Sequence, residues 1–376
     1  MRQNILKKRL IQLSALALVG ITGLVVLTLR QTSTPVPITA HRKTAAKSDF
    51  TEAYPYANEK FDKFVAESYS YRGSNDWRSF YDHMDHIYWK YKSGFSGWKG
   101  TNLKDMLDSE GNKLNSITDN TKRAKEELAF SAGLHRFIKI GVPNFSLDRG
   151  YEFYYMQNRG ERQCFLQSML LAGMLQRAGV NTGVAMVYKN AGGEQSNNGH
   201  AVDLVRLSNG HDIILDASEQ EPFVKQQGLF VKETHYAYVN PVFTSSSNEI
   251  MGYRSASDNE TIALAKVKAL DYDFLHSQFW FYRGERAIGG LILMPKTADG
   301  LKRSEEVLQT SVKICPENPL SVFTLGRVYI AEDKMDQARE SVADARGLYQ
   351  KFGWMPTGIK EYIALLGMPR AIPESS

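Results

Sequence analysis

Residues 160–180, "GERQCFLQSMLLAGMLQRAGV", place one of the chain's two cysteines directly in front of an apolar run. Apolar side chains recur along the run at helical spacing, and Gly179 follows it as a stop signal. The pattern predicts a helix that begins at Cys164 and ends near residue 178. A cysteine in that place raises the question of whether it is a packing residue or a reactive thiol.

The residues after this helix predict three strands. "TGVAMVY" (182–188) is typical of a buried strand, and "KNAGGEQSNNG" (189–199) is typical of a loop. "HAVDLVRL" and "HDIILD", separated by "SNG" (208–210), predict a β-hairpin. A helix would then precede an antiparallel sheet, which indicates an α+β core.

The hairpin turn fixes which side chains meet. If residues 208–210 form a three-residue turn, Leu207 pairs with His211, and side chains alternate between the two faces of the sheet from there. His200 and Asp216 then share a face as diagonal neighbours. A turn of four residues would shift the register and separate them.

These three residue types at these positions suit a nucleophilic thiol. Unpaired N–H groups at a helix N-terminus favour the thiolate form of Cys164. An imidazole at His200 can exchange a proton with the thiol, and a carboxylate at Asp216 can orient the ring. Cys164, His200 and Asp216 are therefore the candidate catalytic residues, with a buried structural cysteine as the alternative.

The quoted helix, followed by "GHAVDLV" (199–205) and "IILDAS" (213–218), resembles the catalytic core of the transglutaminase-like superfamily. The resemblance covers about residues 125–220. It implies a papain-like fold in circular order, a helix packed on an antiparallel sheet, with Cys164 as nucleophile, His200 as base and Asp216 as the orienting acid.

Two positions depart from the family pattern. Val202 stands where many members have an aromatic residue, and Phe165 stands where the animal enzymes have tryptophan. These differences favour a peptidase or an amidase over a protein-crosslinking enzyme. No cofactor is implied.

The N-terminus predicts a membrane anchor. Residues 10–29 carry no charge and are long enough to cross a bilayer as a helix. Lys7, Lys8 and Arg9 precede this span, whereas Arg30 alone follows it closely, so residues 1–9 are expected in the cytoplasm and the rest of the chain outside it. A cleaved signal peptide is the alternative.

Positive charge is concentrated in the first 48 residues, before the predicted folded part. The first 48 residues hold eight Lys or Arg and no acid, within a formal net charge of +5, so the remaining chain is net negative. Nucleic-acid binding is therefore not expected. Residues 30–48 carry two prolines and few large apolar groups, and they predict a flexible linker.

The predicted transglutaminase-like domain spans residues 49–265. Its first part, 49–147, is mainly helical in pattern and rich in aromatic residues, with a polar loop expected at "DSEGNKLNSITDN" (108–120). His83 and His86 lie three apart there, but no third metal ligand is evident, so a solvated helix face is preferred to a metal site.

Residues 266–376 predict a helical region with one tetratricopeptide-like repeat. Five positions carry the pattern, namely Leu325, Gly326, Tyr329, Ala338 and Ala345. A single repeat cannot bury its own faces, so "EEVLQTSVKI" (305–314) and "GIKEYIALLG" (358–367) are expected to flank it. A generic helical hairpin is the alternative. Cys315 lies in this region and is expected to be a packing residue, unpaired with Cys164.

Two functions follow from the sequence. The first is an exported, membrane-anchored cysteine enzyme that cleaves or transfers an amide-linked acyl group of a peptide, a protein or the cell envelope. The second is an inert scaffold whose helical region binds a protein partner. An intact triad favours the enzyme, because a scaffold does not need it.

The charge bias around residues 10–29 makes a testable prediction about topology. We expect protease added outside intact spheroplasts to digest nearly all of the chain, because the bulk follows the span on the exported side. An immunoblot against the C-terminal region measures the loss. Complete protection of that region would contradict the predicted orientation.

Overall fold

The central feature of the fold is an antiparallel sheet that closes on itself. The structure is a computed structural model that describes residues 50–190 and 192–366. The strands are β1 (Asn144–Phe145), β2 (Glu161–Arg162), β3 (Asn181–Asn190), β4 (Gln195–Arg206), β5 (Asp212–Leu215), β6 (Gln226–Lys232), β7 (Tyr236–Phe243), β8 (Glu249–Ser255) and β9 (Thr261–Ile262). Strands β3–β9 form this sheet, and β1 and β2 form a separate parallel pair. The predicted tail (1–9), membrane span (10–29) and linker (30–48) lie outside the described residues. Among those that are described, none of the helices has the length and apolar character needed to cross a bilayer.

Helices precede and follow the sheet. They are α1 (Glu59–Tyr71), α2 (Ser79–Tyr91), α3 (Leu103–Asn115), α4 (Asn120–Gly141), α5 (Phe153–Arg159), α6 (Cys164–Arg177), α7 (Tyr272–Glu285), α8 (Ala298–Ile314), α9 (Pro319–Ala331), α10 (Met335–Lys351) and α11 (Thr357–Leu365). Short 3₁₀ turns occupy Lys92–Gly94 and Leu264–Lys266. The fold thus combines helices with one large antiparallel sheet and the short parallel pair β1–β2.

Six strands form the barrel. Their order is β5-β4-β3-β6-β7-β8, and β5 pairs with β8 to close the ring, with Asp212 opposite Ile250. The short β9 extends β8 outside the ring. Apolar side chains fill the interior, among them Val187, Val202, Leu204, Ile214, Leu229 and Val239. Closure leaves the six ring strands with paired edges.

The predicted hairpin register is confirmed. Residues 208–210 form the turn, with Leu207 N–H donating to the His211 carbonyl at 2.8 Å. Asp203 pairs with Leu215, which is the register expected from a three-residue turn. The C-terminal end of β5 therefore leads into Asp216 on the face that carries His200.

Helix α6 begins at Cys164, as predicted, and lies against the outer face of β3 and β4. Residues 165–175 are all buried, so the helix is enclosed on every side rather than apolar on one face alone. Gly173 permits this on the side of α1, because a Cβ there would meet Phe61 Cε2 at 2.6 Å. The enclosure fixes the position of the Cys164 end.

Two predicted loops are shorter than expected. The loop at 189–199 is reduced to a few residues, because β3 and β4 extend to the pair Lys189–Gln195. The sequence did not indicate this extension, because the residues are polar, whereas antiparallel pairing satisfies the backbone whatever the side chains are. Gly199 has a φ of +70°, a left-handed conformation that suits glycine, just before His200.

The predicted loop at 108–120 is largely helical. Helix α3 continues to Asn115, with Leu107 and Leu114 buried on one face. Gly111 lies between them, and a Cβ there would approach the backbone of Ala178 to 3.3 Å. Gly111, inside the predicted loop, is thus a close-packing position against the end of α6.

The C-terminal helices form the expected hairpin. Helices α9 and α10 pack closely at Gly326, where a Cβ would meet Val342 Cγ2 at 2.7 Å. All five residues of the repeat pattern are buried. Helix α8 packs beside α9, and Tyr362 of α11 contacts Phe323 of α9 with ring centroids 5.4 Å apart.

Helix α7 joins these helices to the barrel region. Phe279 of α7 contacts Phe165, with ring centroids 4.8 Å apart, and also Phe153, at 6.0 Å. One continuous core therefore runs across residue 265, where the sequence predicts a domain boundary. The limits 49–265 and 266–376 stay predictions.

A buried ion pair fixes α7 against the N-terminal helices. Arg283 and Glu152 are both about 1% exposed, and the guanidinium Nε and Nη2 donate to the two carboxylate oxygens at 2.8 and 3.0 Å. Arg283 also binds Glu67 of α1. The charges are removed from water, so each depends on its partner.

We expect Arg283→Ala to lower the free energy of unfolding by about 3–5 kcal/mol, because it leaves the Glu152 carboxylate buried without a counter-charge. Urea unfolding followed by circular dichroism measures the loss. Arg339→Ala is the control, since Arg339 pairs with a fully exposed Asp336, and it should change stability by less than about 1 kcal/mol. Equal effects from the two substitutions would contradict the structural role of the buried pair.

Candidate active site

Cys164 is the first residue of α6 and is partly exposed. Gln163 before it is extended, with φ −137° and ψ 176°, and supplies no side-chain cap. The first N–H groups of the helix are therefore free to stabilise negative charge near the sulfur. Position and exposure both suit a reactive thiol.

His200 and Asp216 are in contact. His200 Nε2 lies 2.9 and 2.8 Å from Asp216 Oδ1 and Oδ2. The imidazole is 28% exposed, whereas the carboxylate is completely buried. The ring therefore reaches solvent on one side and is held from behind by a charge that water does not screen.

The Cys164 thiol interacts with the same imidazole, because His200 acts to lower the pKa of the thiol and Cys164 acts to raise the pKa of the ring. Because Nε2 faces Asp216, Nδ1 is the ring nitrogen that remains for the sulfur. The three predicted residues are thus brought together in the order thiol, imidazole, carboxylate. This order allows the ring to carry a proton between the thiol and a leaving group.

Electrostatics favour the ion pair. Burial acts to raise the pKa of Cys164, but the hydrogen bond and charge of His200 and the N–H of Ala201 outweigh it and lower the pKa. Burial acts to lower the pKa of His200, whereas its bonds to Asp216 and Cys164 raise it to about 10. Both shifts therefore favour the thiolate–imidazolium form of the pair.

The carboxylate of Asp216 is held by two further donors. The Ser218 N–H donates to Oδ1 at 2.9 Å, and Gln226 Nε2 donates to Oδ2 at 3.3 Å. Burial acts to raise the pKa of Asp216, but His200 and these donors lower it overall. Asp216 is therefore ionised and fixed in orientation.

The sequence reasoning missed Gln226. It lies in β6, which reaches the site because the sheet closes into a barrel, and barrel closure is not visible in a local pattern. The segment "DAS" (216–218) was the only sequence signal that the Ser218 N–H bonds Asp216, since an aspartate often accepts from the N–H two residues later.

A second histidine supports the loop after Asp216. His135 of α4 is buried, and its Nε2 lies 3.1 Å from the Glu219 carbonyl oxygen. Burial, with the nearby charge of Lys139, lowers the pKa of His135, so the ring is neutral. From α6, Gln167 Nε2 donates to Ser218 Oγ at 3.4 Å. These contacts position the loop and do not touch the thiol.

Asp203, the other carboxylate of β4, does not belong to this constellation. Three residues from His200, it faces the opposite side of the sheet, and neither oxygen has a hydrogen-bond partner within the described chain. Burial, reinforced by the charge of Asp216, raises its pKa well above the ordinary value. The neutral form of this buried acid is therefore favoured.

The second cysteine provides a contrast. Cys315 is buried, and its Sγ lies 3.8 Å from the Tyr236 hydroxyl. Burial raises the pKa of Cys315 to about 11, so its thiol stays protonated. Both cysteines are free thiols, and of the two the surroundings activate Cys164.

His83 and His86 are the histidine pair that the sequence offers for a metal site. Within 50–190 and 192–366, the structure contains no group of three or more His, Cys, Asp or Glu side chains that could hold a metal ion. His83 Nε2 is buried, and burial lowers the pKa of this imidazole.

Comparison with known proteins adds little. No family model matches the chain, and no curated protein matches it. Among solved structures it is similar to menin, in a crystal structure that reveals the binding site for the Mixed Lineage Leukemia protein. That match has 12% identity and a TM-score of 0.29, and covers 81% of this chain and 73% of the menin chain. At this TM-score the similarity supports no argument about fold or function.

The paired pKa shifts predict the pH dependence of thiol reactivity. We expect iodoacetamide to alkylate Cys164 rapidly well below the ordinary thiol pKa, because the imidazolium stabilises the thiolate until its own pKa near 10 is passed. His200→Ala should move the alkylation profile to higher pH, since burial then opposes ionisation without that counter-charge.

Alkylation rates at a series of pH values measure this shift, with Cys315→Ala in both proteins so that a single thiol is observed. Superimposable pH profiles of alkylation for the protein with His200 and for the His200→Ala variant would mean that the ring does not act on the thiol.

Proposed function

We propose that the chain is a transglutaminase-like cysteine enzyme that cleaves or transfers an amide-linked acyl group through Cys164, His200 and Asp216. The observation that carries the proposal is the imidazole held between a helix-terminal thiol and a buried carboxylate, with Nε2 2.8 Å from Asp216 Oδ2. The α6 helix against an antiparallel sheet supports the family resemblance, and the α9–α10 hairpin supports a tetratricopeptide-like repeat.

The reaction begins with the thiolate of Cys164. Its sulfur attacks the carbonyl carbon of the amide, a C–S bond forms, and the carbonyl oxygen becomes an oxyanion. His200 then gives its proton to the departing nitrogen as the C–N bond breaks, which leaves a thioester on Cys164 and a neutral imidazole. The Cys164 N–H is in place to donate to the oxyanion.

The second half returns the enzyme to its starting state. A water molecule or an amine attacks the thioester, and His200 takes its proton while the C–S bond breaks. The thiolate and the imidazolium are thereby restored. Throughout, Asp216 keeps the ring oriented and stabilises its positive form, because its carboxylate is ionised and fixed by Ser218 and Gln226.

Water is the preferred acceptor in our proposal. The imidazole is 28% exposed, so water reaches the place where the thioester forms. Phe165 and Val202 also depart from the crosslinking enzymes. We therefore propose a peptidase or amidase that acts outside the cytoplasm on a peptide, a protein or the cell envelope, anchored through residues 10–29.

A protein-binding scaffold is the second candidate. A groove of about 660 Å³ lies along the tetratricopeptide-like hairpin. Its lining includes Val312, Leu325, Tyr329, Glu340, Asp344 and Leu348. Apolar groups beside two carboxylates suit a peptide that carries a basic residue. In this alternative the groove binds the partner and the thiol performs no chemistry.

Substitution of the three residues tests the proposed chemistry. We expect Cys164→Ser to abolish turnover of a peptide-amide or 4-nitrophenyl ester substrate, and Asp216→Asn to lower it by up to about 10⁴-fold, as in a comparable serine triad. A double change at His200 and Asp216 should cost little more than His200→Ala alone, because the residues act as a unit.

Asp203→Asn is the matched control. It makes the same change to a buried carboxyl on the opposite face of the sheet, and burial already favours the neutral form of that acid, so turnover should be retained. Mass spectrometry for an acyl group on Cys164 gives a direct readout. An inactive wild-type protein that nevertheless binds a peptide in the α8–α10 groove would favour the scaffold.

A further inference from the structure

The loop between α7 and α8 exposes large apolar side chains. Ile288 and Met294 are the most exposed large apolar residues of the described chain, at 81% and 74%, and Ile292 between them is 40% exposed. Apolar residues scattered singly over a surface are ordinary, whereas several in one short loop form a local apolar feature. A feature of this kind marks a contact site for a partner.

The backbone of this loop is fixed against α8. The Thr297 N–H donates to the Gly289 carbonyl at 2.8 Å, and the Leu291 N–H donates to Ser304 Oγ at 3.3 Å. A Cβ at Gly300 would meet the Gly289 backbone at 2.2 Å, so the loop lies directly on the first turn of α8. Leu291 itself is only 6% exposed. The loop therefore buries one large apolar side chain and holds three others outward.

A second apolar loop meets the same end of α7. Tyr151 stacks on Tyr282 in the last turn of α7, with ring centroids 5.6 Å apart. Shortly before Tyr151 in the chain, Phe145 is 58% exposed and Leu147 is 56% exposed. Exposed apolar side chains from two separate segments are thus found at one end of a single helix.

Basic side chains accompany the apolar ones. From residue 288 to 303 the exposed charged residues are the cations Lys296, Lys302 and Arg303 and one acid, Asp299. Aliphatic groups beside cations suit a bilayer surface, where the apolar groups enter the acyl boundary and the cations meet anionic headgroups. Protein-binding hot spots are instead enriched in Trp and Tyr, and residues 286–303 contain neither. The composition favours lipid as the occupant.

The predicted linker is long enough for this loop to contact a bilayer. In the proposed function residues 10–29 are the anchor, and residues 30–49 join it to Phe50. A flexible chain of that length has an average end-to-end distance of about 25 Å. The Phe50 carbonyl accepts from the Ala269 N–H at 3.0 Å, just before α7 begins. Helix α7 has 14 residues and is therefore about 21 Å long.

We propose that the loop 288–294 rests on the bilayer surface, with Phe145 and Leu147 as a second point of contact. The folded part would then bind the membrane directly, in addition to its anchor. The inference goes beyond the thiol chemistry and rests on the proposed function only through that anchor.

This contact defines the substrates that the site meets. The Gln163 N–H donates to the Gly150 carbonyl at 2.9 Å, so the loop that carries Phe145 is joined to the residue before Cys164. A bilayer in contact with the two loops therefore lies near the thiol end of α6. Amides at the membrane surface are the substrate class that this placement favours.

An environment-sensitive fluorophore tests the contact. The full chain carries Ile288→Cys labelled with nitrobenzoxadiazole, in a background of Cys164→Ser and Cys315→Ala, so that one thiol reacts. It is reconstituted into vesicles of equal parts phosphatidylcholine and phosphatidylglycerol. We expect emission at short wavelength, and quenching when the phosphatidylcholine carries a doxyl group on its acyl chain, because the fluorophore then lies in the acyl boundary.

Met251→Cys, labelled in the same background, is the matched control. Met251 is 55% exposed on β8, outside both apolar loops, so its label should emit at long wavelength and escape quenching. The fluorophore is itself apolar, so a second measurement places it at Phe145→Cys and adds Ile288→Glu with Met294→Glu. We expect the two carboxylates to abolish quenching at position 145, since charge is costly in an apolar environment.

Three outcomes would overturn the inference. The first is equal emission and quenching at positions 288 and 251. The second is quenching at position 145 that persists with both glutamates present. The third is short-wavelength emission at 288 that rises with protein concentration and ignores doxyl lipid, which would mean that another protein molecule covers the loop. Release of the chain from the vesicles by alkaline carbonate would instead overturn the proposed anchor, while the quenching comparison still decides the docking.

Discussion

The pairing of β4 with β5 is the constraint on which the site depends. Side chains alternate along a strand, so a shift of one residue would turn Asp216 away from His200. The turn at 208–210 sets the register, and barrel closure then brings Gln226 to the carboxylate from β6. A buried, ionised Asp216 is costly without partners. Strand register and charge compensation are therefore coupled, and each requires the other.

The position of α6 depends in the same way on its packing against α7. Helix α6 must be enclosed for its first residue to have a fixed position, and α7 supplies one wall through Phe279 and Tyr282. The buried pair of Arg283 and Glu152 holds α7 there. Removing two charges from water gains little stability in itself, but it specifies one arrangement, since misplacing either charge leaves the other unpaired. The position of α7 in turn fixes the aromatic contacts around Phe165, the residue after Cys164.

Local patterns predicted the features that depend on local chemistry. The start of α6 at Cys164, the hairpin register and the contact of His200 with Asp216 followed from helix signals, turn length and strand alternation. Features that depend on tertiary packing were missed. Residues 108–120 were predicted as a polar loop because the sequence does not show the contact of Gly111 with Ala178. Strands β3 and β4 run on through polar residues because the backbone pairs regardless of the side chains. His135 and Gln226 come from other elements, α4 and β6, that only the packed helices and the closed barrel bring near.

Comparison of the two cysteines shows that placement, not residue type, determines reactivity. Cys315 and Cys164 are both removed from water to a large extent, and burial acts to raise the pKa of each thiol. Cys315 has a neutral hydroxyl nearby, and the charges of Asp271 and Glu317 oppose a thiolate, so it stays protonated. Cys164 has an imidazole whose own positive charge is maintained by Asp216. The difference therefore originates at a carboxylate that does not touch the sulfur, and the fold activates the thiol by fixing that carboxylate.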